Sequence, residues 1–234
     1  MAGRGGKGTL ENLRERGAVL SHRRYYVTSM IGAIILAAGE SRRMGFPKAL
    51  LPYPLAGGSE TTFLARLLDV TNRSRAEPIV VVLGHEADRI REGIPHESWG
   101  RARAVVNERY REGMLTSILT GLDAIAESPD VEGALLLPVD HPDVSSEVVD
   151  LLIDRFAATP RPVVLPVHRG RRGHPVLFSR AVFDELRQAP EAVGARQVVW
   201  DHQNDLLEVE VSEPGIGRDV DTPEDYRSLR ERSS

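Results

Sequence analysis

Two hydrophobic rhythms alternate along this chain. Continuous apolar runs, rich in β-branched residues, recur at Ile31–Ala37, Pro78–Leu83, Ala134–Val139 and Val163–Val167, and Ala102–Val106 reads as a further strand. Runs of this kind read as strands buried on both faces of a parallel sheet. His174–Phe178 reads as one more strand. Between them lie stretches with apolar residues at helical spacing: 61–72, a short polar one at 87–93, 115–126 and 145–158. Ser145 is placed to cap the last of these. Strands alternating with helices of this length predict an α/β fold with a doubly wound, mostly parallel sheet. In such sheets ligands bind beyond the carboxyl ends of the strands, where the strand order reverses. Gly39, Gly84, Asn107 and Asp140 each fall just after a predicted strand, which puts four candidate site residues on one edge.

Composition narrows the class. A chain of 234 residues with 41% hydrophobic and 27% charged content has an ordinary globular core. No apolar run approaches the roughly 20 residues needed to span a bilayer, so no membrane segment is predicted. The net charge of −4 argues against a general nucleic-acid binder. Without cysteine there is no disulfide framework, thiolate nucleophile or Cys-ligated metal, which is compatible with a cytoplasmic protein. Residues 1–29 stand apart: six Lys/Arg and two Glu give them +4, which leaves −8 on the remainder. They read as a basic, poorly ordered and dispensable N-terminal extension, with a single domain over residues 30–234.

The most informative chemistry lies at 31–48, IGAIILAAGESRRMGFPK. A buried strand here feeds a glycine-punctuated loop with Arg42, Arg43, Gly45 and Lys48. Such a loop offers backbone N–H groups, a planar guanidinium fork and a point-charge ammonium to phosphate oxygens. Ala37, Ala38 and Gly39 are small enough for a flat ligand to approach the main chain. The bland alternative is a core strand followed by a solvated basic turn. Asp140, after the apolar LLLPV, is a carboxylate at the end of a buried strand; it is costly there unless paired or metal-bound. Asp219 and Asp221 offer a second acid. Asp221 also opens a helix-start signal, with Thr222 as N-cap, Pro223 next and Asp225 two positions later, which gives it a structural reading. Other chemistries lack their motifs. No GxxxxGK[ST], strand-following GxGxxG, GxSxG or HExxH is present.

The segment LAAGESRRMGFPK resembles the signature of the MobA-like nucleotidyltransferases, most closely the molybdenum cofactor cytidylyltransferases with LAAGxSxRMGxxK. Further matches are PVDHP at 138–142, the Gly113-Met114 to Ser117 turn, RGHPVLF at 172–178, GARQVV at 194–199 and DVDTPED at 219–225. The resemblance implies a Rossmann-like nucleotidyltransferase fold and transfer of CMP from CTP to the phosphate of molybdenum-bound molybdopterin, with release of pyrophosphate. It implies Mg²⁺ held by Asp140 and Asp219, with Arg43 and Lys48 on the β- and γ-phosphates. Leu36, Ala37, Ala38, Gly39 and Gly84 would frame the base, with Asn107 and Ser117 as further nucleotide contacts. His174, Arg172 and Arg196 would face the pterin acceptor. His141 could also contact the acceptor, and Met114 reads equally as packing. Guanylyltransferases of the group usually carry LAGG where this chain has LAAG, which favours CTP. A molybdenum enzyme or its chaperone is a further partner the resemblance allows. Three rival readings stay open: another phosphorylated acceptor such as a sugar phosphate, an NAD(P)H-dependent oxidoreductase, and a cofactor-binding chaperone reusing the fold.

Overall fold

A computed structural model describes residues 30–232, so the expected extension over residues 1–29 lies outside the described residues. The strands are β1 (Met30–Ala37), β2 (Pro52–Pro54), β3 (Glu60–Thr62), β4 (Ile79–Leu83), β5 (Arg103–Val106), β6 (Val131–Pro138), β7 (Val163–His168), β8 (Arg171–Arg172), β9 (Val176–Ser179) and β10 (Leu207–Glu210). The helices are α1 (Phe63–Arg73), α2 (Ala87–Gly93), α3 (His96–Trp99), α4 (Met114–Ala126), α5 (Ser146–Ala158), α6 (Phe183–Gln188), α7 (Arg196–Asp201) and α8 (Pro223–Arg232).

The main sheet runs β10-β7-β9-β6-β1-β4-β5, with β8 added to β7. Strands β5, β4, β1 and β6 are mutually parallel, as are β7 and β10; β9 runs antiparallel to both of its neighbours. The expected doubly wound, mostly parallel sheet is therefore present. Its order reverses beside β1: the chain passes to β4 and β5 on one side, then crosses to β6 on the other. Leu36 pairs with Pro138 in that register, so β1 and β6 end side by side.

Period-two alternation on β1 builds both layers. Ile31, Ala33 and Ile35 join Phe63 and Leu67 of α1 and Val149 and Leu152 of α5 on one face. Ile34 and Leu36 join Ile118, Leu122 and Ile125 of α4 on the other. Gly121 lets α4 sit close to the sheet, because a Cβ there would lie 2.4 Å from Ile34 Cγ2. The caps obey local chemistry. Thr62 Oγ1 accepts from Ala65 N at 3.2 Å and Ser145 Oγ from Val148 N at 3.2 Å. At α8, Thr222 Oγ1 accepts from Asp225 N at 3.2 Å while Asp225 Oδ2 accepts from Thr222 N at 2.8 Å, a reciprocal capping box. Sequence reading missed the β2–β3 hairpin and β10, which are short and carry proline or charge. No helix among the described residues is long and apolar enough to cross a membrane.

Candidate active site

The loop after β1 is shaped by Ser41. Its φ of +50° is left-handed, its carbonyl accepts from Met44 N at 2.9 Å, and its Oγ accepts from Lys48 N at 3.1 Å. These bonds curl residues 41–48 and turn the Lys48 side chain inward, where it is only 11% exposed. The Lys48 ammonium donates to Asp140 Oδ2 at 3.1 Å and to Asp221 Oδ1. Arg43 Nη2 lies 2.7 Å from Asp221 Oδ2 with its guanidinium largely exposed. Two acids and two cations from three separated segments thus converge.

A cavity of about 490 Å³ opens over this cluster. Leu36, Ala37, Ala38, Gly39, Arg43, Lys48, Ser117 and Asp140 line it, together with Asp221. Glu40, Arg42, Tyr110, Arg111 and Met114 also reach it, and Arg111 Nε lies 3.5 Å from Glu40 across two of its loops. Arg42 and Met114 belong to segments already singled out in the sequence, whereas Glu40, Tyr110 and Arg111 lie in connections after β1 and β5 with no periodicity, where only the position after a strand could have flagged them.

Several expected residues stand elsewhere. Asp219 is exposed and outside the cavity; Asp221, two positions on, lines it and shares Lys48 with Asp140. The reason is a backbone bond: Val220 is buried and its N–H donates to the Asp140 carbonyl at 2.9 Å, which docks the following residue against the loop after β6. The helix cap is made by Thr222 and Asp225, leaving the Asp221 carboxylate to the lysine. Asn107 is buried. Its amide nitrogen donates to Thr116 Oγ1 and Ser117 Oγ, both at 2.9 Å, and its oxygen accepts from Arg109 N at 2.9 Å, so it braces the start of α4 behind the cavity wall. Gly84 backs onto the wall as well: a Cβ there would lie 2.9 Å from the Ala38 carbonyl oxygen.

Burial works to raise the Asp140 pKa, but the hydrogen bond from His141 and the charge of Lys48 outweigh it and hold the carboxyl at about 2. His141 Nδ1 donates to Asp140 Oδ1 at 3.0 Å, and its ring packs edge-on to that of His174, centroids 4.5 Å apart. Burial, then the neighbouring His141, push His174 down to about 4, so it is neutral at physiological pH. Its Nδ1 is buried with no hydrogen-bond partner.

A second cavity of about 430 Å³ adjoins the first, sharing Leu36, Met114 and Pro138 as a common wall. Its floor is apolar, with Ile118, Leu136, Val176, Phe178 and Val199, and His174 and Arg196 supply polar groups. Met114 is 63% exposed, so it is a cavity wall rather than core packing. Arg172 is not brought here: it projects from the short β8 and pairs with Glu208 of β10 at 2.7 Å. His141 lines neither cavity.

A family model described as the MobA-like NTP transferase domain matches residues 33–206. The chain belongs to this nucleotidyltransferase family. It is 29% identical over 204 residues to a molybdenum cofactor cytidylyltransferase of Escherichia coli K12, covering 87% of this chain and 97% of that one. It is 30% identical over 200 residues to a probable molybdenum cofactor guanylyltransferase of Mycobacterium avium, covering 85% and 94%. Among solved structures it resembles Rv0371c from Mycobacterium tuberculosis H37Rv, with TM-score 0.74, 30% identity and coverage of 87% and 99%. A structure of Rv0371c in complex with manganese gives TM-score 0.69 at 28% identity, covering 87% and 98%.

Proposed function

We propose that this MobA-like enzyme transfers a cytidylyl group from CTP to the phosphate of a molybdopterin-type acceptor and releases pyrophosphate. The observation that carries the reading is Lys48 held between Asp140 and Asp221 in a cavity that shares a wall with a second, apolar-floored one. The first cavity suits a nucleoside triphosphate: small residues 37–39 admit a flat base, and Arg43 and Lys48 supply charge for the terminal phosphates. The second suits a planar ring system with an anionic arm near Arg196 better than it suits a sugar, whose hydroxyls would meet aliphatic walls. Ala38, in the LAAG of the loop, supports CTP over GTP, as does the named activity of the E. coli relative.

The donor set also fits a divalent cation. Among the described residues no group of three or more His, Cys, Asp or Glu side chains converges, but Asp140 and Asp221 do share one cation, the Lys48 ammonium. Mg²⁺ is usually held by one or two carboxylates plus substrate phosphates, which is what this pair could offer. The manganese in the Rv0371c structure supports the same reading. When bound, the cation would supply Lewis-acid polarisation of phosphate oxygens.

The protein's part is alignment and charge. An acceptor phosphate oxygen attacks the α-phosphorus, the bond to the bridging oxygen breaks, and pyrophosphate leaves with that electron pair. Lys48 and Arg43 hold the departing phosphates. The shared wall of Leu36, Met114 and Pro138 sets donor and acceptor side by side, so attack is nearly intramolecular. A pyrophosphate-release screen of four nucleoside triphosphates against molybdopterin, sugar phosphates and other phosphorylated acceptors tests this. CTP with the pterin should stand out. Turnover with a sugar phosphate alone, NADPH oxidation, or pterin binding without turnover would each replace the reading with its rival.

A further inference from the structure

The two carboxylates come from loops that no sheet hydrogen bond joins, so something else must fix their separation. Residues 213–221 run as a strap from β10 to α8 across the loop that follows β6. Ser145 Oγ donates to Glu213 Oε1 at 2.7 Å, and Val220 N donates to the Asp140 carbonyl at 2.9 Å. Between these two ties sits Asp143. A Cβ added to Gly215 would lie 2.7 Å from Asp143 Cβ, so the strap passes over this side chain with no room to spare. The Asp143 carboxylate is 16% exposed; its Oδ1 accepts from Tyr53 Oη at 3.0 Å, and its Oδ2 faces Arg218 and Arg232, each at 3.8 Å. Burial, then the Asp143 carboxylate, raise the Tyr53 pKa, so the phenol keeps its proton and remains the donor.

We infer that Asp143 is a positioning residue that locks the strap onto the loop after β6 and so holds Asp221 on the same side of Lys48's cluster as Asp140, where the two carboxylates could share a divalent cation. It touches neither cavity wall formed by the two acids. It acts through Gly215 and Arg218 on the strap, Tyr53 on the β2–β3 hairpin and Arg232 on α8. This rests on the metal-dependent reading above. Residues that orient metal-holding carboxylates from behind cost about 10–100-fold in metal affinity when removed.

The test compares CTP binding by calorimetry in EDTA with binding of the Mn²⁺–CTP complex, for wild type, Asp140→Ala, Asp143→Asn, Asp143→Ala and Tyr53→Phe. Wild type should gain affinity from the metal, and Asp140→Ala should abolish that gain. Absence of the gain in wild type would remove the metal reading and this inference with it. Given the gain, Asp143→Ala should lose about 10-fold or more of it, and Asp143→Asn and Tyr53→Phe a smaller part, with CTP affinity in EDTA unchanged. If Asp143→Ala does not fold, the two milder variants decide. Variants that keep the full metal-dependent gain, or that lose binding equally with and without metal, overturn the assignment.

Discussion

Lys48 Nζ and Asp140 Oδ2 lie 3.1 Å apart although the residues are 92 positions apart in the chain. Neither side chain has a comparable partner on its own loop except His141 beside Asp140, so the contact exists only because β1 and β6 end together. The cluster is also nearly balanced before substrate arrives. Two carboxylates face one buried ammonium and one exposed guanidinium.

The acid pair can be separated from its neighbour by mutation. Asp140→Ala and Asp221→Ala should each lower kcat/KM by about 10²–10³-fold, the usual loss for a preorganised charge group. Asp219→Ala should stay within a few-fold of wild type. Steady-state pyrophosphate release measures all three, and a large loss in Asp219→Ala with an active Asp221→Ala would reverse the pairing.

The two cations should differ in weight. Lys48 is buried between the acids, whereas Arg43 has 68% of its side chain exposed and competes with water. Lys48→Ala should cost about 10²-fold or more in kcat; Arg43→Ala should act mainly on KM for the triphosphate and weaken further with added salt. Equal losses would show that the loop holds phosphate through both residues alike.

His174 gives a pH signature. Its pKa falls from 6.5 to about 4 on folding, so between those values the unfolded chain binds the proton and the folded one does not. Stability from this group is complete above pH 6.5 and declines as pH drops toward 4, by up to about 3 kcal/mol. Denaturant melts of wild type and His174→Asn at pH 7, 5.5 and 4.5 should therefore converge on the acid side. A gap independent of pH would show that the imidazole titrates normally in the folded protein.

Gly121 tests the packing of α4 on β1. A Cβ 2.4 Å from Ile34 Cγ2 forces a shift in a fully buried layer, so Gly121→Ala should destabilise by about 1–3 kcal/mol despite alanine's better helix propensity. In an Ile34→Ala background, which lacks Cγ2, the same substitution should cost less. An unchanged melting temperature in Gly121→Ala would mean the helix is free to move outward.

The central strands were legible because a strand buried on both faces must be apolar throughout, and Ile31–Ala37, Pro78–Leu83 and Ala134–Val139 are. The caps at Ser145 and Thr222 were legible because their chemistry is local. β10, with the sequence LEVE, was not, since a short edge strand with alternating glutamates carries little hydrophobic signal. The choice between Asp219 and Asp221 was illegible for a different reason. Both acids flank Val220 in one extended segment, and which of them meets Asp140 depends on a single long-range backbone bond from Val220. Asn107 was misplaced similarly. A polar residue at a strand end reads as a ligand contact, and only tertiary structure reveals that Thr116, Ser117 and Arg109 already occupy its amide.

The strap over the loop after β6 joins finishing the fold to assembling the chemistry. Every strand of the main sheet precedes residue 213, yet Ile216 and Val220 of the strap and Leu229 of α8 are buried in the same core layer as Val144 and Val148. A nick or a helix-α8 lesion that frees residues 213–221 would therefore expose apolar surface and unplace the second acid in one event. Such a species would betray itself in a melting curve as well as in an assay.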